Sequence, residues 1–105
     1  MIRNAHLTVP ARRDLIDHFV YLGENDLKVA EHFLDAARVA MEQLVDMPEL
    51  GALRQFKDPR LKDTRLWPIP GLRNYIIFYQ HDSDKIRVLR VLHAAQDYHR
   101  VFRPE

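Results

Sequence analysis

The sequence predicts an α+β domain, with an N-terminal strand and an antiparallel helical hairpin packed on a small, mainly antiparallel sheet of three to four strands. Three observations carry that reading. Apolar residues recur at helical spacing in the first half of the chain and change to short runs of period two in the second half. Turn-forming residues separate the runs, notably Gly23, Gly51, Gly71 and the stretch His81-Asp82-Ser83-Asp84. The link between the two helical patterns is short, which makes them neighbours running in opposite directions.

Residues 2–8 read as a first strand, with Ile2, His6 and Leu7 as the bulkier members. Pro10 suits the first turn of a helix, where its missing N–H costs nothing. Leu15, Ile16, Phe19, Val20 and Leu22 predict a helix over residues 11–22, stopped by Gly23. Asn25 or Asp26 is placed to cap a second helix. Its stripe is Ala30, Phe33, Leu34, Ala37, Met41, Leu44 and Val45, and Pro48 and Gly51 end it. Lys28, Glu31, Asp35, Arg38 and Glu42 fall on the opposite, solvent side. Residues 64–69 form a strand candidate ended by Pro68 and the Pro70-Gly71 turn. Residues 75–80, YIIFYQ, are apolar on both faces and predict a central strand. Residues 86–93, IRVLRVLH, return as its hairpin partner, and residues 97–102 are expected to add one helical turn.

The chain has 105 residues, a length that fits one domain spanning residues 1–105. Hydrophobic residues at 47% and charged residues at 30% are those of an ordinary globular chain rather than a disordered one. No run approaches the roughly 20 apolar residues of a membrane helix, and the opening MIRNAHLTVP lacks the apolar stretch of a secretory leader. There is no Cys, which removes disulfides, thiolate metal sites and Cys nucleophiles together and suits a reducing cytosol. Net charge is +1, but it is unevenly spread. Residues 1–56 carry six Lys/Arg against nine Asp/Glu, and residues 57–105 carry ten against six. The basic stretch holds Arg54, Lys57, Arg60, Lys62, Arg65 and Arg73, which on charge alone is a solvated, mildly basic surface before it is a polyanion site.

Few side chains suggest chemistry. By strict alternation Ile86, Val88, Arg90 and Leu92 share one face, so Arg90 interrupts an apolar row. Such an Arg needs a partner, either an internal acid such as Asp97 or an anion on another molecule. His93, Tyr98 and His99 follow within nine positions and are types that move protons. Composition alone favours a strand-capping His and an ordinary surface tail. The six His residues show no helical metal-ligand spacing beside a carboxylate, so no metal or other cofactor is expected. Trp67 is a core residue before it is a stacking surface. Asp14 and Asp17 share a helical side and read as residues of the first turn, favoured by the helix dipole. Phosphate-cradling Gly loops and Ser nucleophile elbows are absent from the sequence.

Three segments carry a family resemblance: Pro48-Glu49-Leu50-Gly51, Tyr75-x-Ile77-Phe78-Tyr79 and Arg90-Val91-Leu92-His93-x-x-x-Asp97. In that order and spacing the chain resembles the RelE/ParE superfamily of type II toxins, on the ParE side, from Pro10 to Phe102. The resemblance implies a cytoplasmic toxin neutralised by a cognate antitoxin encoded next to it, in a heterotetramer or larger complex that reaches operator DNA only through the antitoxin. It implies DNA gyrase as the target. A RelE-like alternative is metal-independent cleavage of mRNA on the ribosome, with Arg73, Arg90, His93 and Tyr98 as catalytic candidates. A third is a module that binds antitoxin, or acts as a co-repressor, without toxicity. Target binding is expected at Arg73, Arg90, His93, Asp97 and Tyr98. Similar toxins usually carry Arg at the position of Gln96 and often at that of Gln80, where this chain has Gln.

Overall fold

A computed structural model describes residues 4–96. Two helices cover one face of a five-stranded mixed sheet. The elements are β1 (Asn4–Leu7), α1 (Val9–Gly23), α2 (Leu27–Asp46), β2 (Ala52–Leu53), a 3₁₀ turn (Pro59–Leu61), β3 (Arg65–Ile69), β4 (Leu72–His81) and β5 (Lys85–His93). Sheet order is β1-β5-β4-β3-β2. β1 runs parallel to β5, and the other three pairings are antiparallel. The expected α+β architecture therefore stands, with one strand more than the three to four expected. The addition is β2, whose two residues are too few to leave a period in the sequence.

Local chemistry accounts for the helix limits. Thr8 caps α1, its hydroxyl accepting from the Ala11 N–H at 3.2 Å, so the helix starts two residues before the periodic pattern does. Asp26 caps α2 by accepting from the Lys28 N–H at 2.9 Å. Most of the α2 stripe faces the sheet, where Phe33, Ala37 and Leu44, joined by Ala40, are buried against Ile69, Ile77, Tyr79, Ile86, Val88 and Val91, while Leu34 of the expected stripe is exposed. Trp67 is half-buried and packs on the edge of this cluster. Pro70 and Gly71 turn β3 into β4, with Gly71 at φ 85°, a region that L side chains rarely adopt.

β5 departs from strict alternation. Phe78 pairs with Arg90 and Tyr79 with Val88, which leaves Leu89 as an extra residue on β5. The bulge reverses the parity of everything after it. The row facing the helices is thus Ile86, Val88 and Val91, not Ile86, Val88, Arg90 and Leu92. Arg90 does not interrupt that row.

Tyr79 ties two distant segments. Its hydroxyl donates to the Pro48 carbonyl at 2.7 Å and accepts from the Gly51 N–H at 2.9 Å. A Cβ at Gly51 would stand 2.8 Å from both the Leu66 carbonyl oxygen and the Tyr79 hydroxyl, so only glycine fits. Arg65 adds a bond to the Gly51 carbonyl at 2.7 Å. Burial pushes the Tyr79 phenol pKa up, against the lowering effect of its bond from Gly51.

Cutting Phe33 or Leu44 to Ala should cost about 2–5 kcal/mol in urea unfolding, because both are fully buried. Glu31→Ala, on the exposed side of α2, should change stability by less than roughly 0.5 kcal/mol. Tyr79→Phe should cost about 1–3 kcal/mol, leaving the Gly51 N–H without its acceptor. The sign of its pH dependence follows from the raised pKa. The neutral phenol is the form that the fold favours, so its contribution is whole below about pH 10 and is lost as pH rises beyond. Alkaline unfolding curves of Tyr79→Phe should accordingly be flatter above that pH than those of the parent.

Candidate functional site

The end of the sheet where β4 begins and β5 finishes gathers several of the residues singled out in the sequence. Arg73 and Asn74 are exposed near the start of β4. His93 closes β5 and pairs across from Tyr75, with ring centroids 4.9 Å apart. Tyr75 in turn contacts His18 and Phe33, at 5.0 and 4.8 Å, which joins this end of the sheet to both helices. The Ala94 N–H donates to the Asn74 carbonyl at 2.6 Å, and the Gln96 N–H to the His93 carbonyl at 2.8 Å. The Gln96 carboxamide oxygen accepts from the His93 N–H at 2.8 Å, so the Gln96 side chain latches the turn beyond β5.

The hydrogen bonds fix what His93 can do. Its Nδ1 accepts from the Ala95 N–H at 3.0 Å, so in the neutral ring the proton sits on Nε2. The one lone pair of the neutral imidazole is occupied. Nε2 is then the donor of the neutral ring.

Arg90 has a partner that the sequence reading missed. Its Nε and Nη2 donate to the two carboxylate oxygens of Asp14 at 2.7 and 2.8 Å, a bidentate pair across 76 residues. Asp14 Oδ2 also accepts from the Val91 N–H at 2.9 Å. Asp14 lies in the second turn of α1 and points into the structure, so it is not the dipole-favoured first-turn residue expected. The bond to Asp14 raises the Arg90 pKa, and burial opposes it. Thr8 and His18 complete the arrangement. The Thr8 hydroxyl donates to the Leu89 carbonyl and His18 Nε2 to the Val91 carbonyl, each at 2.8 Å. One signal for this set was in the sequence: Ala11, Asp14, His18 and Leu22 lie on one side of the helix at spacing i, i+3, i+7 and i+11, and two of the four are polar.

Asp97 and Tyr98, with the rest of the expected C-terminal turn, lie outside the described residues. Arg73 and His93 are therefore at one sheet end, while Arg90 sits three residues back and is bound within the molecule. The basic stretch is also partly engaged. Arg60 forms an ion pair with Asp58 at 2.6 Å, and Arg65 holds the turn after α2. Gln80 Nε2 donates to the Arg60 and Lys62 carbonyls and to the Thr64 hydroxyl, fixing the segment that carries these charges.

The sequence model of the ParE toxin of type II toxin–antitoxin systems matches residues 5–98. The chain belongs to the ParE toxin family. The match spans all three segments that carry the resemblance, and the structure shows that two of them meet, since Tyr79 holds Pro48 and Gly51. Among solved structures, one chain of the chromosomal ParDE system from P. aeruginosa superposes with a TM-score of 0.65 at 17% identity, covering 86% of this chain and 94% of that one. That likeness supports the fold. No curated protein matches. Among the described residues no helix is long and apolar enough to cross a membrane.

Asp14→Ala should destabilise this ParE-family chain by about 2–4 kcal/mol, because it leaves Arg90 and the Val91 N–H without their acceptor. The value falls below that of a fully buried pair because the Arg90 side chain is 24% exposed. Asp17→Ala, one turn of solvent-facing helix away, should be nearly neutral. Arg90→Lys should recover only part of the loss caused by Arg90→Ala, since an ammonium has no two-pronged geometry for the carboxylate. Thermal melts of the four variants check the order, and an Arg90→Ala protein as stable as the parent would refute a structural role for the pair.

Proposed function

We propose that this toxin acts by binding DNA gyrase rather than by cutting RNA, through a surface built from Arg73, His93 and the segment carrying Asp97 and Tyr98. The observation that carries the reading is the state of the two described groups best suited to RNA cleavage. Arg90 is committed to Asp14, and the lone pair of His93 is committed to the Ala95 N–H. Metal-free cleavage needs a base to take the 2′-hydroxyl proton and a cation to meet the phosphate. A binding surface needs neither, and the exposed Arg73 guanidinium suits a target carboxylate.

The same reading gives the antitoxin its place. A groove of about 620 Å³ runs between the two helices and β1, lined by Leu7, Leu15, Leu34, Ala37, Met41 and Val45, with Arg38, Glu42 and Asp46 at its rim. An apolar trough with a charged rim fits an amphipathic segment of a cognate antitoxin. Toxin and antitoxin then form a cytoplasmic complex that meets operator DNA through the antitoxin.

Inducing the protein alone in bacteria should stop DNA synthesis first, with mRNA intact, and Arg73→Ala should relieve the block. Tyr98→Phe should stay toxic, since a binding toxin moves no proton. Co-expression with the antitoxin should restore growth, and Leu34→Asp should weaken that rescue. Fragmented mRNA with continuing replication would transfer the chain to the ribosome-dependent nucleases. Harmless expression would leave it as an antitoxin-binding module.

A further inference from the structure

The outward side of α1 is apolar. Val9, Ile16 and Val20 stand on it at spacing i, i+7 and i+11, and they are 62%, 56% and 55% exposed. This is the side opposite Ala11, Asp14 and His18, which meet β5 and the core. The neighbouring helix α2 also exposes apolar residues, Val29 at 43% and Val39 at 42%. The outer surface of α2 carries an ion-pair network in which Arg38 bridges Asp35 and Glu42. Among the described residues no ion pair joins the charges on the outer side of α1.

Two charges stand in the same stripe. Arg13 falls between Val9 and Ile16, and Glu24 follows Val20, so residues 9, 13, 16, 20 and 24 run i, i+4, i+7, i+11, i+15 along one face. All five are exposed. The order is self-complementary. Turned end for end about a two-fold axis level with His18, the stripe sets Ile16 against Val20 of a second copy and brings Arg13 within one residue of the second copy's Glu24. A parallel alignment sets Arg13 against Arg13 and Glu24 against Glu24, which repel.

We propose that this face joins two copies of the chain, as a two-fold symmetric dimer with the α1 helices packed antiparallel. Such a contact is isologous, so one patch supplies both sides. The stripe lies on a different side of α1 from Leu15, the residue that α1 gives to the groove between the helices. Dimer contact and groove occupancy are thus compatible on one molecule, and the dimer does not depend on the functional reading above. Three apolar residues per copy make a narrow interface, below the roughly 1,200 Å² of a stable complex, so association belongs in the micromolar range or weaker.

Sedimentation velocity on the purified full chain tests this, over roughly 1 µM to 1 mM. The mass should rise with concentration from monomer towards dimer. Ile16→Lys should weaken association by at least about tenfold. Arg13→Glu should weaken it as well, and adding Glu24→Arg to that variant should restore it by swapping the pair. All these sites are exposed, so melting temperatures should remain close to the parent's and separate loss of association from loss of fold. A monomer across the whole range overturns the proposal, as does a dimer indifferent to Ile16→Lys or a charge swap that fails to restore it. A chain that is monomeric alone but loses antitoxin binding on Ile16→Lys assigns the face to the antitoxin, and the dimer is then wrong.

Discussion

One edge of β5 governs how the two halves of this molecule meet. β1 pairs with β5 only as far as Val88, and beyond that point a strand edge would be left with unmet backbone groups. Helix α1 meets them with side chains. Thr8 takes the Leu89 carbonyl, Asp14 the Val91 N–H and His18 the Val91 carbonyl. Because Thr8 is also the helix cap, the residue that starts α1 is the residue that begins to seal the strand. The Leu89 bulge lies where β1 gives way to α1, and Arg90 closes over the seal by clasping Asp14. The helical hairpin is thereby keyed to the sheet in one register, and the apolar stripe of α2 is brought over the centre of β4 and β5.

Features that depend on neighbouring residues were readable in the sequence. The α2 stripe from Ala30 to Val45 repeats long enough to fix its phase, and YIIFYQ admits little but a central strand. Features that depend on distant partners were not. Arg90 was seen to need a partner, either an internal acid such as Asp97 or an anion on another molecule, but the partner, Asp14, lies 76 positions away and resembles an ordinary early-helix aspartate. The Leu89 bulge leaves no mark, because the bulged strand remains a run of apolar residues and cations on either side of it. β2 is two residues long and exists only because β3 presents an edge for it. The candidate site was half legible. The sequence placed Arg73 and His93, and the structure sets them at the same sheet end, while the hydrogen bond that fixes the His93 tautomer comes from backbone geometry that no spacing encodes.

The two glutamines that replace the arginines expected by resemblance serve the fold differently. At Gln80 the two N–H groups of the amide nitrogen are shared among three acceptors, a role that a guanidinium could fill in part. At Gln96 the carboxamide accepts, and an arginine has no acceptor to offer. The turn beyond β5 is therefore held in this chain by a bond that an arginine at the same position cannot make. A neutral residue there also leaves Arg73 as the exposed guanidinium described at that sheet end.

The parallel pairing of β1 with β5 has a consequence for how the molecule comes into being. The residues that seal the edge, Thr8 and Leu89, are 81 positions apart, so the first strand made must wait for the last before it has a neighbour. During synthesis the hairpin can coil early, but its inward face has no sheet to cover until β4 and β5 leave the ribosome. The inward side of the hairpin, with Phe33, Ala37 and Leu44, therefore stays uncovered until β4 and β5 can fold onto it.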